Sequence, residues 1–187
     1  MLPFKSIRIA FSNKETDINN AKSLIAFSNT VNLDSSKLVT VNQIHSSKIL
    51  IADSPGFYDP ADGIINKSGN LVCSIKVADC LPIFFVNNTS KTIGLVHAGW
   101  KGISSGIIKK FVNSIEICNE NVSDFYVLIG PSIHPCCFEI RDDVLDFFDP
   151  KFYTSIKKNK YNVDLQAWVV HQLIKFGFSK EKIKNIN

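Results

Sequence analysis

The stretch LPIFFVNNTSKTIGLVH, residues 81–97, decides the reading of the fold. Its arms PIFFVN and TIGLVH are rich in β-branched and aromatic residues, and the polar NNTSK between them has the composition of a tight turn. The spacing predicts an antiparallel hairpin at the centre of a sheet. Because parallel strands need long crossovers whereas hairpins do not, the sheet is expected to be mixed.

Elements on either side extend this pattern. Upstream, a short strand is expected around Ile7 to Phe11, and DINNAKSLIAFSNT spaces Ile18, Ala21, Leu24 and Ile25 as a helix does, with Asp17 as its cap. KLVTVNQIHSSKILIAD reads as two strands with His45 in the bend between them, and SPGFYDPADG as a loop ending at Asp62 and Gly63. LVCSIKV is expected as a third β-rich run that joins the two arms at the centre of the same sheet. Downstream, GISSGIIKKFVNSIEICNE places Ile103, Ile107, Ile108, Phe111, Ile115 and Cys118 on one helical face. A strand in DFYVLIG, the loop PSIHPCC, and helical patterns in EIRDDVLDFF and VDLQAWVVHQLIKF follow, the last capped by Asp164 and closed by Gly177. The expected architecture is a single α+β domain over residues 1–187, a mixed β-sheet with hairpins and flanking helices.

Composition agrees with one globular unit. The chain has 187 residues, 45% hydrophobic and 20% charged, and a chain of this size buries roughly 70% of its extended surface without needing a staple. Its net charge of +4 gathers late, at Lys157, Lys158, Lys160, Lys180, Lys182 and Lys184. No continuous basic stripe with interleaved aromatics accompanies it, so a solvated face is expected rather than nucleic-acid binding. No apolar run reaches the ~20 residues of a membrane span. Five cysteines, an odd number, and an opening segment unlike a signal peptide point to a cytoplasmic protein with reduced thiols. Nothing in the sequence indicates whether chains associate.

Three polar side chains interrupt or flank the apolar runs: His45 at a bend, Cys80 before PIFF, and His97 at the end of TIGLVH. All three can meet at one end of one sheet. Two imidazoles and a thiolate suit a borderline-soft cation, and a zinc ion with three protein ligands and an open position is the catalytic kind, activating water or polarising a substrate atom. The same set is the equatorial arrangement of a blue copper centre, for which Gln43 is an available axial ligand, since the lone methionine is Met1. Each residue also has a structural reading: inert packing for the cysteine, a hydrogen-bonded group for the histidines, core for Trp100. Asp79 is a candidate orienting group or general base, or alternatively the acceptor of amides in a tight turn. Lys101, at a helix start, is placed for an anion such as phosphate. Trp100, Phe57 and Tyr58 are candidate walls for a flat base.

QIHSSKI, ADGIINKSGNLVCSIKVADCLPIFF, GLVHAGWKG and IGPSIHPCCFEI, in this order and covering about residues 38–148, resemble the motifs of the laccase-domain family. Members of that family, long labelled multicopper polyphenol oxidases, are regarded as purine nucleoside phosphorylases with adenosine deaminase as a side activity. The resemblance implies a zinc site on His45, Cys80 and His97. It implies a reaction in which phosphate displaces the base from adenosine, inosine or a methylthio analogue, with purine nucleoside and phosphate as partners. Cys80 is then expected at the reacting centre, with Asp79 and Lys101, on their own chemistry, as further participants. Against the family pattern, the N-terminal loop and the C-terminal end are expected to be shortened, Ser46 stands where a glycine is usual, and Lys101 replaces an arginine, keeping the charge but losing the bidentate fork. Cys136 and Cys137 fall in the family's PCC motif, where packing and loop shape are the expected role and a second, copper-type thiol site is the competing one, which Pro131 and Pro135 leave open. Adjacent side chains in an extended segment point apart, so both could ligate one ion only at a sharp turn.

Alternatives of other classes remain at this stage. They are a metal-independent cysteine hydrolase with Cys80 as nucleophile and His97 as base, a copper-dependent polyphenol oxidase, and an inactive interaction module that keeps the scaffold.

Overall fold

The computed structural model describes residues 7–13, 17 and 20–186. Its strands are β1 (Leu38–Val41), β2 (Ile49–Ile51), β3 (Gly56–Tyr58), β4 (Gly63–Asn66), β5 (Val72–Cys73), β6 (Leu81–Val86), β7 (Ile93–Ala98), β8 (Tyr126–Ile129), β9 (Glu139–Ile140), β10 (Tyr153–Lys157), β11 (Lys160–Val163) and β12 (Ile183–Asn185). The helices are α1 (Ala21–Thr30), α2 (Trp100–Ser104), α3 (Ile107–Ile117), α4 (Asp142–Leu145) and α5 (Leu165–Lys175). The class is α+β, in one domain.

The expected hairpin is β6–β7, paired from Leu81 opposite Ala98 to Val86 opposite Ile93. It forms the centre of a six-stranded mixed sheet ordered β12-β8-β6-β7-β4-β2. Its turn is closed by the Asn87 N–H donating to the Thr92 carbonyl at 2.9 Å. β4 is buried along its whole length, as a strand covered on both faces must be. Its side chains alternate accordingly: Ile65 enters the larger core with Leu81, Ile83, Phe85 and Phe111, and Ile64 enters a smaller one with Val39, Val41 and Leu71. On the larger side α3 lays Ile107, Ile108, Phe111, Val112 and Ile115 against the sheet. The Phe111 ring stacks on Phe85 with centroids 3.8 Å apart. Gly94 makes room for it, since a Cβ there would sit 2.5 Å from the Phe111 ring.

Several local expectations differ from what the fold contains. Residues 7–13 form no strand. Phe11 instead presses edge-on against Phe84, centroids 5.6 Å apart. α1 is capped by Asn20, whose side chain accepts from the Lys22 N–H, rather than by Asp17; Ile18 lies outside the described residues. The proline-containing loop at 54–63 includes β3, because its backbone finds a parallel partner in β1. Of the LVCSIKV run only β5 is strand, and it joins β1 and β3 in a separate three-stranded sheet. The helix expected over 102–120 is two helices, parted at Gly106, whose φ of 83° is left-handed. In EIRDDVLDFF only α4 is helical, because Glu139 and Ile140 pair with Asn162 and Tyr161 of β11. The hairpin β10–β11 and the last strand β12 carry too little apolar alternation to be read from sequence. α5 is as expected: Asp164 accepts from the Ala167 N–H at 2.8 Å, and Gly177, with φ 96°, follows its last turn.

Candidate metal centre

The hairpin register positions two of the three proposed ligands. Pro82 lies opposite His97 and Leu81 opposite Ala98, so Cys80, one residue before β6, comes alongside the end of β7. His45 reaches the same end through β2, which pairs with β4, which pairs in turn with β7. The ligand atoms of His45, Cys80 and His97 all lie within 4.8 Å of one another. Among the described residues this is the one group of three or more such side chains close enough to share an ion. The two imidazoles meet edge-on, centroids 4.8 Å apart at 78°. Gly99 permits the closeness, because a Cβ there would stand 3.0 Å from both the Cys80 sulfur and the His45 ring.

Asp62 organises the site, a role the sequence reading does not assign to it. Its carboxylate, fully buried, accepts from the backbone N–H groups of Ile44, His45 and Ser46 at 3.3, 3.0 and 2.6 Å. It also accepts from the Ser46 hydroxyl at 2.7 Å, and its Oδ1 lies 2.8 Å from Nδ1 of His97. These bonds hold the turn that carries His45, whose φ of 56° is left-handed and rare for a residue with a side chain. The His97 contact fixes the proton on Nδ1 and leaves Nε2 as the free lone pair, the arrangement in which carboxylates orient metal-binding histidines. Ser46 contributes two of the five bonds, one from its backbone N–H and one from its hydroxyl. The only sequence signal was an aspartate between a loop and an apolar run, which is ordinary in turns; burial is what distinguishes it.

The electrostatics fit a cation. Burial opposes ionisation of Asp62, but the bonds from His97, Ser46 and Ile44 outweigh it and hold the carboxyl below its usual range. Burial pushes His97 down, against the pull of Asp62, which favours the neutral imidazole a metal requires. Burial, then the charges of Asp79 and Asp62, push the Cys80 thiol up. That is the opposite of an activated nucleophile, and it means a metal must displace the proton. Exposure is graded across the set, with His97 buried, Cys80 half-buried and His45 exposed, so the site opens to solvent on one side.

The remaining candidates divide. Asp79 is exposed next to Cys80, and its carbonyl accepts from the Ile133 N–H at 2.9 Å, tying the 131–138 loop to the site. Lys101 is exposed on α2, its Nζ 5.6 Å from the Trp100 ring centroid. Trp100 is partly buried against Phe147 and Phe148, centroids 5.8 and 5.5 Å away. Phe57 projects from β3 on the other sheet, and Tyr58 bonds to Ser54. Gln43 spends both ends of its amide on the Lys76 backbone, at 2.8 and 2.7 Å, so it pins two loops together instead of serving as an axial copper ligand. Of the packing and loop-shape role expected for Cys136 and Cys137, the packing part does not hold, since both are exposed.

No described helix is long and apolar enough to cross a membrane. The fold is similar to that of a Bacillus licheniformis protein called YfiH, with a TM-score of 0.81 and 24% identity, covering 89% of this chain and 69% of that one. It is likewise similar to YlmD from Geobacillus stearothermophilus, with a TM-score of 0.79 and 24% identity, covering 89% and 70%. In sequence, the chain is 34% identical over 184 residues to a Rickettsia conorii protein named purine nucleoside phosphorylase, covering 94% of this chain and 73% of that one. A Campylobacter jejuni protein of the same name is 32% identical over 155 residues, covering 82% and 65%. The profile described as multi-copper polyphenol oxidoreductase laccase matches residues 2–187, and the chain belongs to that family.

Proposed function

We propose that this protein is a zinc-dependent purine nucleoside phosphorylase in which His45, Cys80 and His97 hold the metal. One observation carries the reading: three donor atoms from segments 35 and 17 residues apart in sequence converge within 4.8 Å. The shared name of its relatives supports the reaction class. When bound, a zinc ion supplies Lewis acidity at its open position.

The chain's own groups do the rest. Asp62 keeps the Nδ1 proton of His97 in place and holds the His45 turn, so neither imidazole must reorganise. Asp79, at the open side, is the carboxylate placed to exchange a proton with the reactant. Lys101 offers a positive charge to phosphate, and Trp100 an aromatic face to the base. Phosphate then displaces the purine from the sugar, giving free base and ribose 1-phosphate.

The test is base release from adenosine, inosine and methylthioadenosine, with and without phosphate, on protein of measured metal content. Phosphate-dependent release with stoichiometric zinc is expected, and deaminase activity would appear as inosine formed from adenosine without phosphate. Copper at stoichiometry with phenol oxidation, or turnover that survives complete metal removal, would overturn the proposal. Cys80→Ala should lose metal and turnover together while the fold persists.

A further inference from the structure

We propose that Cys136 and Cys137 form a second site, separate from the first, that chelates one soft thiophilic ion of the trivalent arsenic class through both sulfurs. Adjacent side chains point apart in extended chain, but here the chain turns. The N–H groups of Cys137 and Phe138 both donate to the His134 carbonyl, at 3.0 and 3.2 Å. The turn brings the two Sγ atoms to 3.2 Å, both open to solvent. Backbone bonds anchor the loop on either side, from Ile133 to the Asp79 carbonyl and from Val163 to the Phe138 carbonyl, at 2.9 and 3.0 Å. The dithiol is therefore held ready before any ion arrives.

Two features select the ligand. A disulfide is the competing fate, but adjacent Cα atoms across a trans peptide are only about 3.8 Å apart, below the roughly 4.4–6.8 Å that an unstrained disulfide spans. Such a bond is easily reduced, so the pair persists as thiols. Among soft ions, tetrahedral zinc with Zn–S near 2.3 Å needs sulfurs about 3.8 Å apart, and linear copper(I) needs them further apart still. A pyramidal trivalent centre, with its narrow S–As–S angle, suits the shorter separation. The contact with Cys136 pushes the Cys137 thiol up, so the pair meets the ion as thiols. Cys73, by contrast, is held against the smaller core, where burial raises its thiol to about 12.

The probe is phenylarsenous acid, PhAs(OH)2. It condenses with two thiols to give PhAs(SR)2 and two waters, with no change in the oxidation state of arsenic or sulfur. The full chain, with its metal as isolated, is exposed to one equivalent in excess glutathione, and the adduct is counted by intact-mass spectrometry. One phenylarsenic per chain is expected. C136S and C137S should each weaken retention by about a hundredfold, through loss of the chelate advantage, while C80S should keep the adduct. Because both serines would sit at exposed positions, circular dichroism should match that of the parent protein. No adduct on the parent protein, retention in C136S or C137S equal to that of the parent, or loss of the adduct in C80S would each overturn the site.

Discussion

The Asp62 carboxylate sits 2.8 Å from Nδ1 of His97 while accepting the three backbone N–H groups of residues 44–46. One side chain thus orients one proposed ligand and shapes the turn bearing another. Asp62→Asn should weaken metal affinity by about 10- to 100-fold, the usual cost of losing an orienting partner. Competition with a chromophoric chelator measures this, and affinity equal to the parent protein would refute the positioning role. Asp62→Ala should in addition destabilise the fold, since the N–H groups of residues 44–46 lose their shared acceptor.

Ser46 adds a hydroxyl bond of 2.7 Å to the same carboxylate. Ser46→Gly removes a hydrogen bond to a charged group and should cost about 1.5–3 kcal/mol. The denaturation midpoint reports it, and an unchanged midpoint would show that the hydroxyl is dispensable.

Gly99 leaves no room for a methyl group, with the Cys80 sulfur and the His45 ring each 3.0 Å from where it would stand. In Gly99→Ala both ligands must give way, so metal affinity should fall by about tenfold, equivalent to about 1.4 kcal/mol. The metal-free chain should lose less. A larger loss in the metal-free chain than in metal binding would contradict this.

Acid should destabilise the metal-free protein. His97 titrates below its ordinary 6.5 and Asp62 below its ordinary 3.8 when folded, so the unfolded chain binds more protons than the native one in both ranges. Their stabilisation is complete above about pH 6.5, declines as His97 protonates in the unfolded state, and declines again below 3.8. Protons also compete with metal for the imidazoles, so metal loss should follow the same direction. Urea midpoints between pH 8 and pH 4 give the sign, and a midpoint that rises on acidification would reverse it.

Phe111, stacked on Phe85 at 3.8 Å in the larger core, supplies a control remote from chemistry. Phe111→Ala should cost about 3–5 kcal/mol and leave the metal stoichiometry of the folded fraction unchanged.

What could be read from the chain alone follows from local chemistry. The NNTSK turn between two apolar runs specified the β6–β7 hairpin, the apolar spacing of Ile107, Phe111 and Ile115 specified α3, and the types and spacing of His45, Cys80 and His97 named a ligand set. β3, β9 and β12 escaped because strands of two or three residues arise from available partners, not from their own propensity. Asp62 escaped because an aspartate in a turn and one buried beneath a site are spelled alike; burial exists only once β4, β7 and the 44–46 turn close around it. The vicinal cysteines were named but their meeting was left undecided for a related reason, since whether adjacent side chains diverge or meet depends on backbone angles set by anchors at Asp79 and Val163. Sequence supplied the donors and the hairpin, because residue type and short-range pattern decide these. Tertiary structure decided their convergence, orientation and protonation, because those depend on distances between segments that lie far apart along the chain.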